Sequence, residues 1–355
     1  MFRTTEFLKR PFHPEKVSKI LSGKMRPIFC AAAWCLLACC AGCARPNPRE
    51  SLAKMQAPEG SPKLLAVYQP WFGGPGHIDV GYSSHDLNTL HRQISRAQEL
   101  NISGFVVNWY GPRHEYNDKS LALLQQAAMD GGGGFAIAAQ YDEAVDHPGN
   151  ATDAVMVDLQ YLYDRYIGPN APPWRSAYLR YRGRPVIFIF PKGSGTDWNR
   201  VRRLTQSWTD APLLIYKDPD PRYSNAFDGY YPWIQPGKDG WARDGSHWGE
   251  DYLDHFYKTM IDRYADKITV GAVWPGFDDS KASWGRNRRM AYRCGKTFED
   301  TMRVFRKYYG PENSPPYILV ETWNDYEEGT DIERSISHCQ GGSGTSIDTA
   351  RAGGR

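Results

Sequence analysis

Leu319–Glu333 reads LVETWNDYEEGTDIE. It opens as an apolar, β-branched strand and then sets Trp323, Asn324, Asp325, Tyr326, Glu327, Glu328 and Gly329 in succession. An amide, three carboxylates and two aromatics where a strand ends make either a solvated acidic turn or the floor of a site. The choice depends on what the other strands carry at the same end.

Upstream of this stretch, short apolar runs rich in β-branched and aromatic residues alternate with segments of helical period. The strand candidates are 64–72, 104–111, 134–142, 185–191, 212–218, 227–234, 268–277 and 317–325. Helices are expected over 86–101, 119–130, 151–167, 197–208, 250–266 and 296–309, with Asp86, Asp118, Thr152 and Asp197 as candidate caps. Continuously apolar strands alternating with helices predict a (β/α)8 TIM barrel, one catalytic domain spanning 63–333. A doubly wound open sheet is the competing topology. It usually announces itself by a Gly-rich phosphate loop after an early strand, and GGGG at 131–134 precedes a strand instead. No helical pattern follows the last strand, so the closing helix is expected to be incomplete and 334–355 to be a Gly/Ser-rich tail.

The formal net charge is +3, of which the first 38 residues supply +5, so the remainder stands at −2. A near-neutral body without a basic stripe argues against a nucleic-acid partner. The leader itself reads as an export signal. Lys16, Lys19, Lys24 and Arg26 flank an apolar run from Ile28 to Ala38, too short to span a membrane as a mature helix. The following LLACCAGC resembles a lipobox, which makes Cys39 the candidate lipidated residue and Cys43 the alternative. The expectation is an exported protein on the bacterial cell envelope, touching the membrane only through that anchor. Residues 1–43 are then signal and lipobox, and 44–62, rich in Pro and polar residues, a tether. Only Cys294 and Cys339 remain in the body, and two distant cysteines do not imply a disulfide. Neither zinc-type Cys/His spacing nor an HExxH is present, so neither metal nor other cofactor is expected.

In a barrel of this kind the catalytic side chains sit at the carboxyl ends of the strands. Those ends carry Tyr68, Gln69, Trp71 and Phe72; Asn108, Trp109 and Tyr110; Gln140, Tyr141, Asp142 and Glu143; Lys217 and Asp218; Tyr230, Tyr231 and Trp233; Trp274, Asp278 and Asp279; and Trp323, Asn324, Asp325 and Glu328. Sugars present an apolar C–H face and a rim of hydroxyls. Trp and Tyr offer rigid faces for the first, and amides and carboxylates satisfy the second. Such a ring points to a carbohydrate cleft. Glycoside cleavage needs one protonated and one ionised group about the anomeric carbon. Asp325 and Glu328, three residues apart, are the candidate pair; Glu327 between them reads as structural or solvent-facing.

The segments YQPWFGG, GFVVNWYGP, FDGYYPWI, PGFDDS…NRRMAYRCGKTFE and TWNDYEEGTDIE, in this order, resemble glycoside hydrolases of families 71 and 99. The first contains endo-α-1,3-glucanases and the second endo-α-mannosidases. The resemblance implies an α-linked polysaccharide or glycan as substrate, attacked endo, with Glu328 protonating the leaving group. In family 99 the other carboxylate is a Glu that helps the sugar's own 2-hydroxyl attack. Asp325 stands in its place, as it does in the WNDY form of family 71. The resemblance further implies sugar-binding roles for Tyr68, Trp71, Trp109, Tyr110, Arg293 and Asn324; Gln140 and Tyr231, at the ends of their strands, are further candidate sugar contacts. Gln140 sits where the mannosidase pattern H-I-E/Q-P-Y is replaced by AAQYDE. The alternative expectation is a surface glycan-binding lipoprotein that keeps the cleft without turnover.

Overall fold

The structure is a computed structural model that describes residues 61–143 and 150–334. The leader with Cys39 and Cys43, the tether up to residue 60 and the tail from residue 335 lie outside the described residues. Among the described residues no helix is long and apolar enough to cross a membrane.

Eight parallel strands close on themselves. They are β1 (Lys63–Tyr68), β2 (Ile102–Trp109), β3 (Ala136–Asp142), β4 (Arg184–Phe190), β5 (Leu213–Lys217), β6 (Gly229–Tyr231), β7 (Ile268–Val273) and β8 (Tyr317–Val320). Each pairs with the next, and β8 returns to β1 through Leu64↔Ile318. This is the expected (β/α)8 barrel. Helices α1 (Leu87–Glu99), α2 (Glu115–Asp130), α3 (Ala151–Leu162), α4 (Trp198–Gln206), α5 (Glu250–Arg263) and α6 (Lys296–Tyr308) pack outside it. A five-residue π-helical turn, Tyr163–Ile167, continues α3.

Two positions around the barrel have no α-helix among the described residues. Residues 218–228 join β5 to β6 through a single 3-10 turn, Pro221–Tyr223. None follows β8, and a cavity of about 810 Å3 lies at that place, between the end of α1 and Met302, Phe305 and Arg306 of α6. Two of the expected caps also differ. Asp86 and Asp197 do cap α1 and α4. Asp118 lies inside α2, where its carboxylate accepts from Trp109 Nε1 and from the Tyr161 and Tyr166 hydroxyls. Asn150 caps α3, and Thr152 Oγ1 instead accepts from the Asp197 amide.

The core divides by strand parity. Leu65, Val67, Val106, Ala138, Phe188, Ile215 and Leu319 pack together inside the barrel. Leu64, Ala66, Tyr68, Val107, Trp109 and Ile189 pack with helix residues such as Leu90, Leu121 and Leu159 outside it. Side chains two apart share a face. The inward series therefore continues past the packed interior to Gln69, Asn108, Tyr110, Gln140, Asp142, Phe190 and Lys192, all at the carboxyl end. Cys294, just before α6, is disulfide-bonded, a bond its spacing did not imply; its partner lies outside the described residues.

Candidate active site

The stretch after β8 folds into a compact turn rather than an extended loop. Thr322 N–H donates to Thr330 O, and Ile332 N–H donates back to Thr322 O. Asp325 lies at the head of the turn: its Oδ1 accepts from the Glu327 and Glu328 amides at 3.1 and 2.9 Å. Gly329 has φ +65°, and a Cβ there would stand 2.4 Å from the Tyr292 hydroxyl, so the turn requires glycine.

The turn is keyed to β1. The Gln69 amide donates to Asn324 Oδ1 at 2.7 Å, and Asn324 Nδ2 donates to Gln69 O at 3.0 Å. The Gln69 side chain then bridges two functional groups. Its Nε2 donates to Asp325 Oδ2 at 2.9 Å, while its Oε1 accepts from Asn108 Nδ2 at 2.9 Å. A relay of amides thus runs from β2 across β1 to the Asp325 carboxylate. Glu328 has a side chain 21% exposed, whereas Asp325 is buried. Its Oε1 accepts from Trp284 Nε1 at 3.1 Å and lies 3.9 Å from Arg288 Nη2.

These groups form part of the wall of a cavity of about 280 Å3 with Trp71, Tyr110, Gln140, Asp142, Phe190, Lys192 and Trp233. A second cavity, about 530 Å3, adjoins it and shares Trp71, Tyr110, Lys192 and Trp284. The result is a two-lobed groove walled by rings. Across from the carboxylate turn, Lys192 Nζ pairs with Asp142 Oδ1 at 2.9 Å. Burial nevertheless pushes the Asp142 carboxyl up to about 6, only partly opposed by that ammonium. Burial also raises the Asp325 and Glu328 carboxyls. The nearby Glu328 charge adds to the effect on Asp325, and the two backbone amides oppose it. Close carboxyls of this kind cannot both ionise freely and share protons as a couple.

Trp71, Tyr110 and Gln140 line the groove together with Asp325 and Glu328. Among the described residues the buried Gln140 Oε1 has no hydrogen-bond partner. Five other expected sugar contacts sit elsewhere. Tyr68 and Trp109 point outward: the Tyr68 hydroxyl donates to Gln93, and the Trp109 indole to Asp118. Gln69 and Asn108, one residue along or back, occupy the inward positions. Tyr231 is fully buried and braces Gln140, whose Nε2 donates to its hydroxyl at 2.9 Å. Asn324 acts on the Gln69 backbone. Arg293 lies against Trp248 and pairs with Asp300 of α6, away from both lobes.

Glu327 is buried, which excludes the solvent-facing alternative. Its carboxylate lies 2.8 Å from His77 Nδ1 and accepts from the Ile78 amide, and the His77 ring stacks on Trp71 at 4.7 Å. Glu327→Ala removes both acceptors at once. Its expected cost is about 2 kcal/mol, from a charge-assisted buried contact. In a thermal melt that amounts to roughly 4–8 °C for a domain this large. Glu327→Gln, which still accepts, should recover most of it.

Four groups at the site lay outside the strand-end reading: Lys192, Trp284, Arg288 and Glu321. Trp284 and Arg288 stand on the loop that follows β7, and Lys192 continues the inward series of β4. Glu321 continues the inward series of β8 beneath the floor. Its Oε2 accepts from the Ile234 amide at 2.7 Å, and burial holds its carboxyl well above the usual range.

No protein-family profile matches the chain. A glycoprotein endo-α-1,2-mannosidase of Xenopus laevis is 20% identical over 272 residues, which are 72% of this chain and 57% of that protein. The match thus spans little more than half of that relative's length. The family 99 endo-α-mannosidase of Bacteroides thetaiotaomicron, in complex with BIS-TRIS propane, superposes with a TM-score of 0.60 at 18% identity, covering 79% of this chain and 90% of that one. A second structure of the Bacteroides enzyme gives 0.59 at 19%, covering 77% and 87%. A glycoside hydrolase-like protein gives 0.56 at 14%, covering 81% and 92%. These likenesses establish the barrel, and the relatives are of the kind that the motifs implied.

Proposed function

We propose that this chain is a glycoside hydrolase acting on α-linked glycans, with α-mannosides as the first substrate class and α-glucans as the second. The observation that carries the reading is the placement of Asp325 and Glu328 on one turn in the floor of an aromatic-walled groove. The mannosidase relatives favour mannosides, while the WNDY form of the turn favours glucans. We further propose that the protein is exported and anchored through Cys39, or Cys43 if the lipobox is read later.

The hydrogen bonds support a division of roles. Asp325 accepts from three N–H donors, which favour its ionised form. Glu328 accepts from one; burial raises both carboxyls, so the difference in donors, not in burial, is what separates the two roles. Glu328 then gives its proton to the glycosidic oxygen as the C1–O bond breaks. Asp325 takes the proton of the attacking hydroxyl, which by the family resemblance is the sugar's own 2-hydroxyl. Trp71 and Tyr110 offer faces to the ring C–H groups, and Gln140 and Asp142 accept from hydroxyls.

The test is a hydrolysis screen of the full chain, held in mild detergent, on α-mannan, α-1,3-glucan and other α-glycans, with released sugars measured by chromatography. Products that Glu328→Gln fails to release support the reading. Binding to one of these glycans without release of sugar supports the non-catalytic glycan-binding protein instead.

A further inference from the structure

Trp284 is 42% exposed, an unusual state for an indole at a cleft. It stands at the tip of the 279–288 loop, whose stem is fixed. Phe277–Asp278 pairs with Arg289–Met290 as a short antiparallel hairpin. Inside the loop the buried Asp279 carboxylate accepts from the amides of Arg286 and Arg288 and from Arg288 Nε. The Trp284 ring meets Trp71 and His77 edge-on, at 6.0 and 5.9 Å between centroids. It borders both lobes of the groove.

A neutral carboxyl has one O–H and one carbonyl oxygen. The indole N–H donates to Oε1 of Glu328, and Arg288 Nη2 approaches the same atom. Both neighbours therefore demand a lone pair on Oε1, which leaves Oε2 as the oxygen that carries the proton. We propose that Trp284 is a positioning residue: its indole N–H fixes Oε1 of Glu328 as the acceptor, so that the transferable proton stays on Oε2, while its exposed ring face borders the leaving group. The proposal rests on the assignment of Glu328 as the acid. In the step itself the Oε2 proton passes to the glycosidic oxygen, the electron pair of the broken C1–O bond stays on that oxygen, and Glu328 is left as a carboxylate. The indole N–H then stabilises that carboxylate, so it holds the acid lower than burial alone would.

Trp284→Phe tests this, because it keeps a ring at an exposed tip and removes only the donor. The other groups that act on Glu328 stay in place: Arg288, Lys192, Asp279 and Asp325, with Tyr110 beside them. Two readouts are taken on the full chain. The first is the pH profile of kcat/KM on whichever glycan the screen shows to be cleaved. Its alkaline limb is expected to move up by about half to one pH unit, since a hydrogen bond to a charged group is lost. The value of kcat is expected to fall roughly 10-fold, since only the more distant Arg288 then biases the proton toward one oxygen, while KM changes little. The second readout needs no turnover: carboxyl 13C NMR titration of Glu328, assigned by its loss in Glu328→Gln, should show the same upward move. An unmoved Glu328 titration in a Trp284→Phe protein that melts like the parent overturns the proposal. Loss of the acid assignment looks different, because Glu328→Gln would then keep full activity whatever Trp284 does.

Discussion

Glu328→Gln is expected to lower kcat/KM on an unactivated α-glycan by about 10³-fold, within the range that a positioned general acid supplies. The variant is close to isosteric. Its amide oxygen can still accept from Trp284 Nε1, so the turn and its seam to the 279–288 loop should survive. What disappears is a proton held at the leaving oxygen. A nitrophenyl glycoside leaves without protonation, and on it the loss should shrink to about 10-fold or less by the same logic. Kinetics on the two substrates decide the matter, since a merely structural role would slow both alike. The pH profile supplies a second check. The Asp325 and Glu328 carboxyls are both raised by burial. Activity is lost at low pH as Asp325 takes up a proton and at high pH as Glu328 gives one up. The bell should therefore lie nearer neutrality than two ordinary carboxylates would place it.

The strands and the closing turn were legible in the sequence because their signals are local. Eight apolar runs and one polar turn need no knowledge of what lies across the barrel. Parity was not legible, for a physical reason. A strand buried on both faces carries no alternation, so nothing local says whether Tyr68 or Gln69 points inward. Only the closed register resolves it, sending Tyr68 to Gln93 and Gln69 to Asp325. The same holds for Trp109 and Asn108. Trp284, Arg288 and Lys192 were hidden differently. Trp284 and Arg288 reach the groove because Asp279 gathers loop amides around its carboxylate, a contact with no sequence period, while Lys192 extends the inward series of β4 beyond the strand's apolar run. The gap between β5 and β6, where the sequence offers no helical period, is closed by a 3-10 turn within residues 218–228.

Asp325→Asn is expected to match Glu328→Gln in size, about 10³-fold in kcat, and the double variant should be little worse than either alone, as for groups that act as a unit. The reason lies in the relay beside it. Asn keeps an oxygen for the Glu327 and Glu328 amides, so the turn can persist. Its NH2, however, would face Gln69 Nε2, donor against donor. Gln69 can answer only by reversing its amide, which then turns its own NH2 toward Asn108 Nδ2. The polarity of the whole floor is thus set by the negative charge on Asp325, and losing that charge disorders the donors that position it. Asp325→Glu examines the length of the side chain. The added methylene restores the residue that the mannosidase resemblance calls for, yet it moves the carboxylate away from Gln69 and the two amides by about an ångström, enough to cost on the order of 10²-fold in rate. Activity in Asp325→Glu equal to that of the parent would mean that the Gln69 bridge does not place the reacting carboxylate. A loss of that size, with the fold intact by circular dichroism, would mean that this barrel is built around the shorter acid.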